Sequence, residues 1–116
     1  MNNEKAPPLQ SLEKQYRRLA GSLAALGYIS QGSVLDRSKL RSPRSGYQWT
    51  RKVAQKTITV ALSREQFLSL RKAVKNRRRL QKTVDKMERL SRQILFNTLP
   101  DTNRRKPLPK QVLGLV

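Results

Sequence analysis

The sequence predicts an α+β fold. An N-terminal helix, a small three-stranded antiparallel sheet and a long basic C-terminal helix follow in the order α-β-β-β-α, with the two helices antiparallel on one sheet face. Three observations predict it. Apolar residues recur at helical spacing near the start, alternate through the middle third, and return to helical spacing over a stretch without Gly or Pro between Ser63 and Leu99. A period of 3.6 gathers side chains on one helix face and a period of 2 on one sheet face, so each change of period marks a change of element.

Leu9, Leu12, Tyr16, Leu19, Leu23 and Leu26 are spaced three and four apart and form one seam, while Glu13, Lys14, Gln15, Arg17 and Arg18 occupy the other face of a first helix. Residues 1–8, ending in Pro7-Pro8, are expected to be a disordered lead-in. Gly27 suits the left-handed residue that ends a helix, with Tyr28 folding back towards Leu23. Residues 28–35 place β-branched and aromatic side chains around Gly32, which predicts a strand with a bulge. Residues 36–46 mix cations with Ser, Pro43 and Gly46 and read as a solvated basic loop. In the next strand Tyr47, Trp49, Arg51 and Val53 share a face, and in the one after it Ile58, Val60 and Leu62 do so. A turn at residues 54–56 joins them as a hairpin without the Asn-Gly signature.

The second helix opens on a capping box, with Ser63 as N-cap and Gln66 at N3, and on a staple of Leu62 against Phe67. Its seam runs through Phe67, Leu70, Val74, Leu80, Val84, Met87, Leu90 and Ile94, interrupted by Arg77. A helix of about 30 residues spans roughly 45 Å. Residues 9–97 are thus expected to form a single basic domain. Residues 98–116 are expected to form a basic tail broken by Pro100, Pro107 and Pro109, its apolar end at residues 112–116 either docking or fraying.

Composition narrows the chemistry. The 116 residues include 26 Lys or Arg against 7 Asp or Glu, a net charge of +19, with neither Cys nor His. Disulfides, thiolate nucleophiles, His-based acid–base catalysis and most zinc sites are excluded. The carboxylates are Glu4, Glu13, Asp36, Glu65, Asp85, Glu88 and Asp101. Only Asp85 and Glu88 are close, and Lys82, Lys86, Arg89 and Arg92 beside them suit intrahelical ion pairs. No converging cluster suits a two-metal site, so the expectation is no enzyme, no metal and no cofactor. No apolar run approaches the roughly 20 residues of a membrane span. With no apolar leader visible at the N-terminus, a cytoplasmic protein associated with the nucleoid or a nucleoprotein is expected.

So large a positive charge calls for an anionic partner, and three surfaces are candidates. Residues 63–97 hold 11 cations against Glu65, Asp85 and Glu88, so 11 − 3 leaves +8. The centre of this segment is Arg71, Lys72, Lys75, Arg77, Arg78 and Arg79, continued by Lys82, with cations wrapped around the helix and able to lie along a phosphate backbone. Asn76 among them suits a base edge or a phosphate. The plainer reading is a solvated charged face. Against it stands the shortage of Glu to pair with the Arg. The second surface is the loop with Arg37, Lys39, Arg41 and Arg44 and the strand cations Arg51 and Lys52, interleaved with Tyr47 and Trp49. These aromatics either stack on unpaired bases or anchor the core; alternation with Val53 favours the core for Trp49. The third is the tail segment Arg104, Arg105 and Lys106, an arm that folds on binding or a solubilising tail.

The runs Gln31-Gly32-Ser33-Val34, Gly46-Tyr47-Gln48-Trp49-Thr50-Arg51-Lys52-Val53, Leu62-Ser63-Arg64-Glu65-Gln66 and Asn76-Arg77-Arg78-Arg79-Leu80 resemble a family of short bacterial proteins of unknown function associated with transposases and other mobile elements. The resemblance covers about residues 9–95 and is most specific in the strand pair. Many members carry a Cys-rich knuckle before the Tyr-x-Trp strand. Residues 36–45 have no Cys, so a zinc-stabilised loop and any role drawn from zinc fall away.

Together these readings predict a non-catalytic, phosphate-dominated, weakly sequence-specific binder of DNA or structured RNA. It would be an accessory to a transposase or other nucleoprotein component. The alternative is an interaction module. In that reading the helical seams form a homodimer or larger oligomer, or dock on an acidic protein, and Arg77 fixes the register.

Overall fold

The computed structural model describes residues 8–103 and 106–115. Its elements are α1 (Leu9–Leu23), β1 (Ser33–Asp36), β2 (Tyr47–Val53), β3 (Lys56–Leu62), α2 (Arg64–Thr98) and the short α3 (Lys110–Leu113). The expected order of helix, three antiparallel strands and long helix is present. The chain divides into two compact units, residues 1–25 with 82–116, and residues 26–81.

In the first unit α1 starts on Pro8, whose carbonyl accepts hydrogen bonds from the amides of Ser11 (2.9 Å) and Leu12 (3.1 Å). Proline suits this place because its fixed φ is extended and it needs no partner for an N–H. The helix stops at Leu23, with Ala24 still right-handed. Gly27 lies beyond the end and does not take the left-handed conformation expected of it. Leu12 and Leu90 are buried, and Tyr16 shares a shallow hollow with Val84, Met87 and Ser91 of α2. After Pro109 the chain forms the single turn of α3, and the Arg92 Nε donates to the carbonyl of Leu113. This bond ties down the backbone of α3 while Val112 stays exposed, and Val116, like Arg104 and Arg105 of the expected basic arm, lies outside the described residues.

The second unit is the sheet and the first half of α2. Both strand pairs are antiparallel, in the order β1-β2-β3. The register sets Tyr47 opposite Asp36 and Leu62, Trp49 opposite Val34 and Val60, and Arg51 opposite Ile58. Because side chains alternate, Val34, Tyr47, Trp49, Ile58, Val60 and Leu62 form one apolar face, and Ser33, Thr50, Lys52, Thr57 and Thr59 lie on the other. Helix α2 covers the Tyr47 end of the apolar face, with the Phe67 ring stacked 4.5 Å from that of Tyr47. The hairpin tip is uncovered, leaving Ile58 and Val60 about two-fifths exposed.

One end of this arrangement is held by side-chain hydrogen bonds and the other by a tight backbone turn. The Ser63 hydroxyl accepts from the Gln66 amide (3.1 Å) and the Gln66 carboxamide oxygen accepts from the Ser63 amide (2.9 Å), which is the predicted capping box. The β2–β3 turn is Ala54-Gln55, both at positive φ (49° and 67°), the geometry of a two-residue turn whose twist matches the strands.

The first strand is half of what alternation suggested. Residues 28–32 are not a strand but an arm crossing from α1 to the sheet. The Ser30 amide donates to the Ala73 carbonyl, and the Trp49 indole N–H donates to the Gln31 carbonyl at 2.9 Å. Gly32 at φ +101° makes the crossing possible: a Cβ there would lie 2.4 Å from the Thr50 carbonyl oxygen. The basic loop is exposed over residues 38–46, as expected of a solvated loop, and is braced by local hydrogen bonds. Asp36 accepts from the amide and hydroxyl of Ser38, and Arg37 exchanges backbone hydrogen bonds with Gly46 and Arg44.

Candidate nucleic-acid interface

The first half of α2 presents its cations to solvent. Arg71, Lys75 and Arg78 are spaced four and three apart, and Lys72 and Arg79 form the neighbouring row. At 100° per residue these five span an arc of about 120°, one side of the helix. All five are exposed and gather on one arc of the helix, within the expected wrap of cations around it. Arg77 is also exposed but projects from another side. Lys82, in the other unit, is exposed as well. Among the described residues the one side-chain ion pair is Arg92 with Glu88 (3.9 Å), so none of these five has a carboxylate within reach.

Arg71 is the cation with a fixed seat. Its guanidinium lies 5.2 Å from the centroid of Phe67, which in turn stacks on Tyr47. The layered stack Tyr47–Phe67–Arg71 ties the basic face to the sheet and holds one positive charge in place without a salt bridge.

Asn76 departs from its expected role. It is buried, and its Nδ2 donates to the Tyr28 carbonyl at 3.0 Å. Gly27 passes so close that a Cβ would stand 3.3 Å from the same nitrogen. The side chain holds the arm against α2 and has no free edge for a base.

The loop and strand cations separate in the same way. Lys39, Arg41 and Arg44 are exposed, whereas Arg37 is half-buried with its Nε donating to the Gln48 carboxamide at 3.2 Å. Lys52 is exposed on the polar sheet face. Arg51 lies on the apolar face with its guanidinium 5.6 Å from the Trp49 ring centroid, and its Nε is buried without a partner. It packs more than it reaches out. Trp49 itself is half-buried and bonded to the arm, an anchor and not a free stacking ring. Lys106 is exposed in the other unit.

Tyr28 is the residue whose place was not legible in the sequence. The residue is 92% exposed although its carbonyl is held by buried Asn76. Predicted to fold back on Leu23, it instead lines a hollow with Leu62, Gln66, Ser69, Leu70 and Ala73. The only signal for this was Asn76, a polar residue within an otherwise cationic run, whose partner is 48 residues away.

Compared with protein-family models, curated proteins and solved structures, the chain matches none. No helix among the described residues is long and apolar enough to cross a membrane.

Proposed function

We propose that the protein is a non-catalytic nucleic-acid-binding accessory protein that holds phosphate backbones through the exposed face of α2. The observation that carries this reading is the group Arg71, Lys72, Lys75, Arg78 and Arg79, five exposed cations on one side of a helix with no carboxylate partner among the described residues. A solvated surface face normally carries both signs of charge, and i,i+4 pairing would be available at almost no cost had Glu been present. Arg71 to Arg78 covers about 10 Å of helix axis. Duplex DNA presents one charge per about 1.7 Å of its own axis, so each of these cations has a phosphate to meet. The exposed loop cations Lys39, Arg41 and Arg44 extend the surface. With Asn76 engaged internally, few groups remain to read base edges, and weak sequence specificity follows. The resemblance of these residue runs to the mobile-element family supports a role beside a transposase or a comparable nucleoprotein complex.

A salt titration of binding to a labelled oligonucleotide tests the reading. Five phosphate contacts give a slope of log K against log salt of about −4.5 for duplex DNA, and eight about −7. Replacing Lys75 and Arg78 by Gln is expected to flatten the slope by about 2. A flat salt response of the unaltered protein would exclude the proposal.

A further inference from the structure

The hollow beside Tyr28 has the chemistry of a base pocket. Its volume is about 330 Å³, and the residues around it are the aromatic Tyr28, the apolar Leu62, Leu70 and Ala73, and the polar Gln66 and Ser69. Gln66 uses its carboxamide oxygen in the capping box, which leaves its NH₂ group to donate. The Ser69 hydroxyl can donate or accept. A flat apolar floor with a few polar groups at its rim is what a planar heteroaromatic ring requires.

Tyr28 is the unusual part. A tyrosine with 92% of its surface in water is not there to pack. It is also not carried on a loose end, because the chain around it is fastened at two points. Asn76 Nδ2 donates to its own carbonyl at 3.0 Å, and the Ser30 amide donates to the Ala73 carbonyl at 3.1 Å. A ring on a pinned backbone loses little freedom when something stacks on it, which favours binding. The α2 residues that floor the hollow face away from the arc of Arg71, Lys75 and Arg78, but exposed Arg77 follows Ala73 by four residues on the same side of the helix. A ligand entering here therefore has one positive charge about one helical turn from the hollow.

We infer that this hollow takes one unpaired nucleobase, stacked on Tyr28 over Leu70 and Ala73, while a neighbouring phosphate lies on Arg77. The inference rests on the nucleic-acid reading above and narrows it to strands with at least one base out of the stack. A base inside a duplex has both faces covered and cannot enter, so single-stranded or looped nucleic acid is preferred over a continuous helix. Every base has an apolar face, so the preference for unpaired structure carries little sequence preference.

The test uses the full chain and two probes of one sequence. One is a single-stranded oligonucleotide with a central 2-aminopurine, and the other is the same strand annealed to its complement. Single-strand affinity is expected to exceed duplex affinity. Tyr28→Ala should weaken single-strand binding roughly 5- to 100-fold, the range set by loss of one stacked base. It should leave duplex binding and the salt slope unchanged, because no cation is touched. Quenching of the 2-aminopurine on binding should disappear in Tyr28→Ala and persist in Tyr28→Phe, which keeps the ring. A Tyr28→Ala protein that binds and quenches the single strand as the parent does would overturn the pocket while leaving the phosphate face intact. Equal affinity of the parent for both probes would do the same. Failure of both probes to bind at low salt would remove the nucleic-acid reading itself, and the pocket with it.

Discussion

Gly32 adopts φ +101° at the point where the arm passes over β2, and both its backbone geometry and its missing side chain are required there. A Cβ would stand 2.4 Å from the Thr50 carbonyl oxygen and 2.5 Å from Trp49 Nε1, the atom that bonds to Gln31. Gly32→Ala is expected to cost about 3 kcal/mol, the sum of left-handed strain and overpacking. Gly21→Ala is the control: nothing lies within 4 Å of its added Cβ inside α1. It should stabilise by about 0.5–1 kcal/mol through reduced backbone freedom in the unfolded chain. Urea midpoints followed by Trp49 fluorescence would resolve both. Asn76 allows a sharper separation of roles. Asn76→Ala leaves the Tyr28 carbonyl without its donor and should cost about 1–3 kcal/mol of stability. If Asn76 instead read a base, stability would hold and nucleic-acid affinity would fall. Asp36 supplies a pH-dependent contact. Hydrogen bonds from the hydroxyl and then the amide of Ser38 stabilise its carboxylate and draw its pKa below the ordinary value. A depressed pKa contributes stability above the unfolded value, and that contribution fades as the carboxylate protonates. The Ser38 amide resonance should therefore shift below about pH 4 and stay constant above it.

At the scale of elements, the β2–β3 hairpin shows how the sheet forms despite local sequence. Ala54 and Gln55 both take positive φ, a conformation that suits Asn and Gly and strains other residues. The alternation of Tyr47, Trp49 and Val53 against Ile58, Val60 and Leu62 sets the register, and the turn adopts the geometry this register demands. Replacing Ala54-Gln55 by Asn-Gly should relieve the strain and raise stability by about 1–2 kcal/mol without changing the fold, measured by thermal unfolding. Ser63→Ala should move in the opposite direction by about 1 kcal/mol, through loss of the cap to the Gln66 amide. These elements were legible because each is specified by neighbours in sequence: the capping box by positions 63 and 66, the strands by alternation, α2 by its uninterrupted seam. The arm was not. Ile29 and Val34 flank Gly32 with the look of one strand, but backbone bonds to Ala73 and the Trp49 indole, 43 and 18 residues distant from Ser30 and Gln31, hold residues 28–32 out of the ladder. The candidate site divides along the same line. Exposed cations follow from composition, whereas the burial of Asn76 and the exposure of Tyr28 depend on a contact across 48 residues that no local pattern encodes.

For the molecule as a whole, 26 cations against 7 carboxylates make charge the main term that conditions can change. Like charges repel more in the compact state than in an expanded chain, so folding works against this field. Salt weakens the repulsion, since the Debye length falls from about 30 Å at 0.01 M to about 3 Å at 1 M. With few ion pairs to lose, the free protein should gain stability as sodium chloride rises through this range. Nucleic acid should act with the opposite salt dependence. A ligand that binds only the folded chain adds about 2.7 kcal/mol at a hundredfold excess over Kd, roughly 10 °C in Tm for a chain near 100 residues. That increment should be largest at low salt and vanish as counterions compete for the phosphates. Tm measured against salt with and without a single-stranded oligonucleotide is therefore expected to give two curves of opposite slope that converge at high salt. Lys75→Gln with Arg78→Gln should raise the free curve and lower the bound one, bringing the two together at lower salt. Parallel curves would mean that the charge has no anionic partner among nucleic acids.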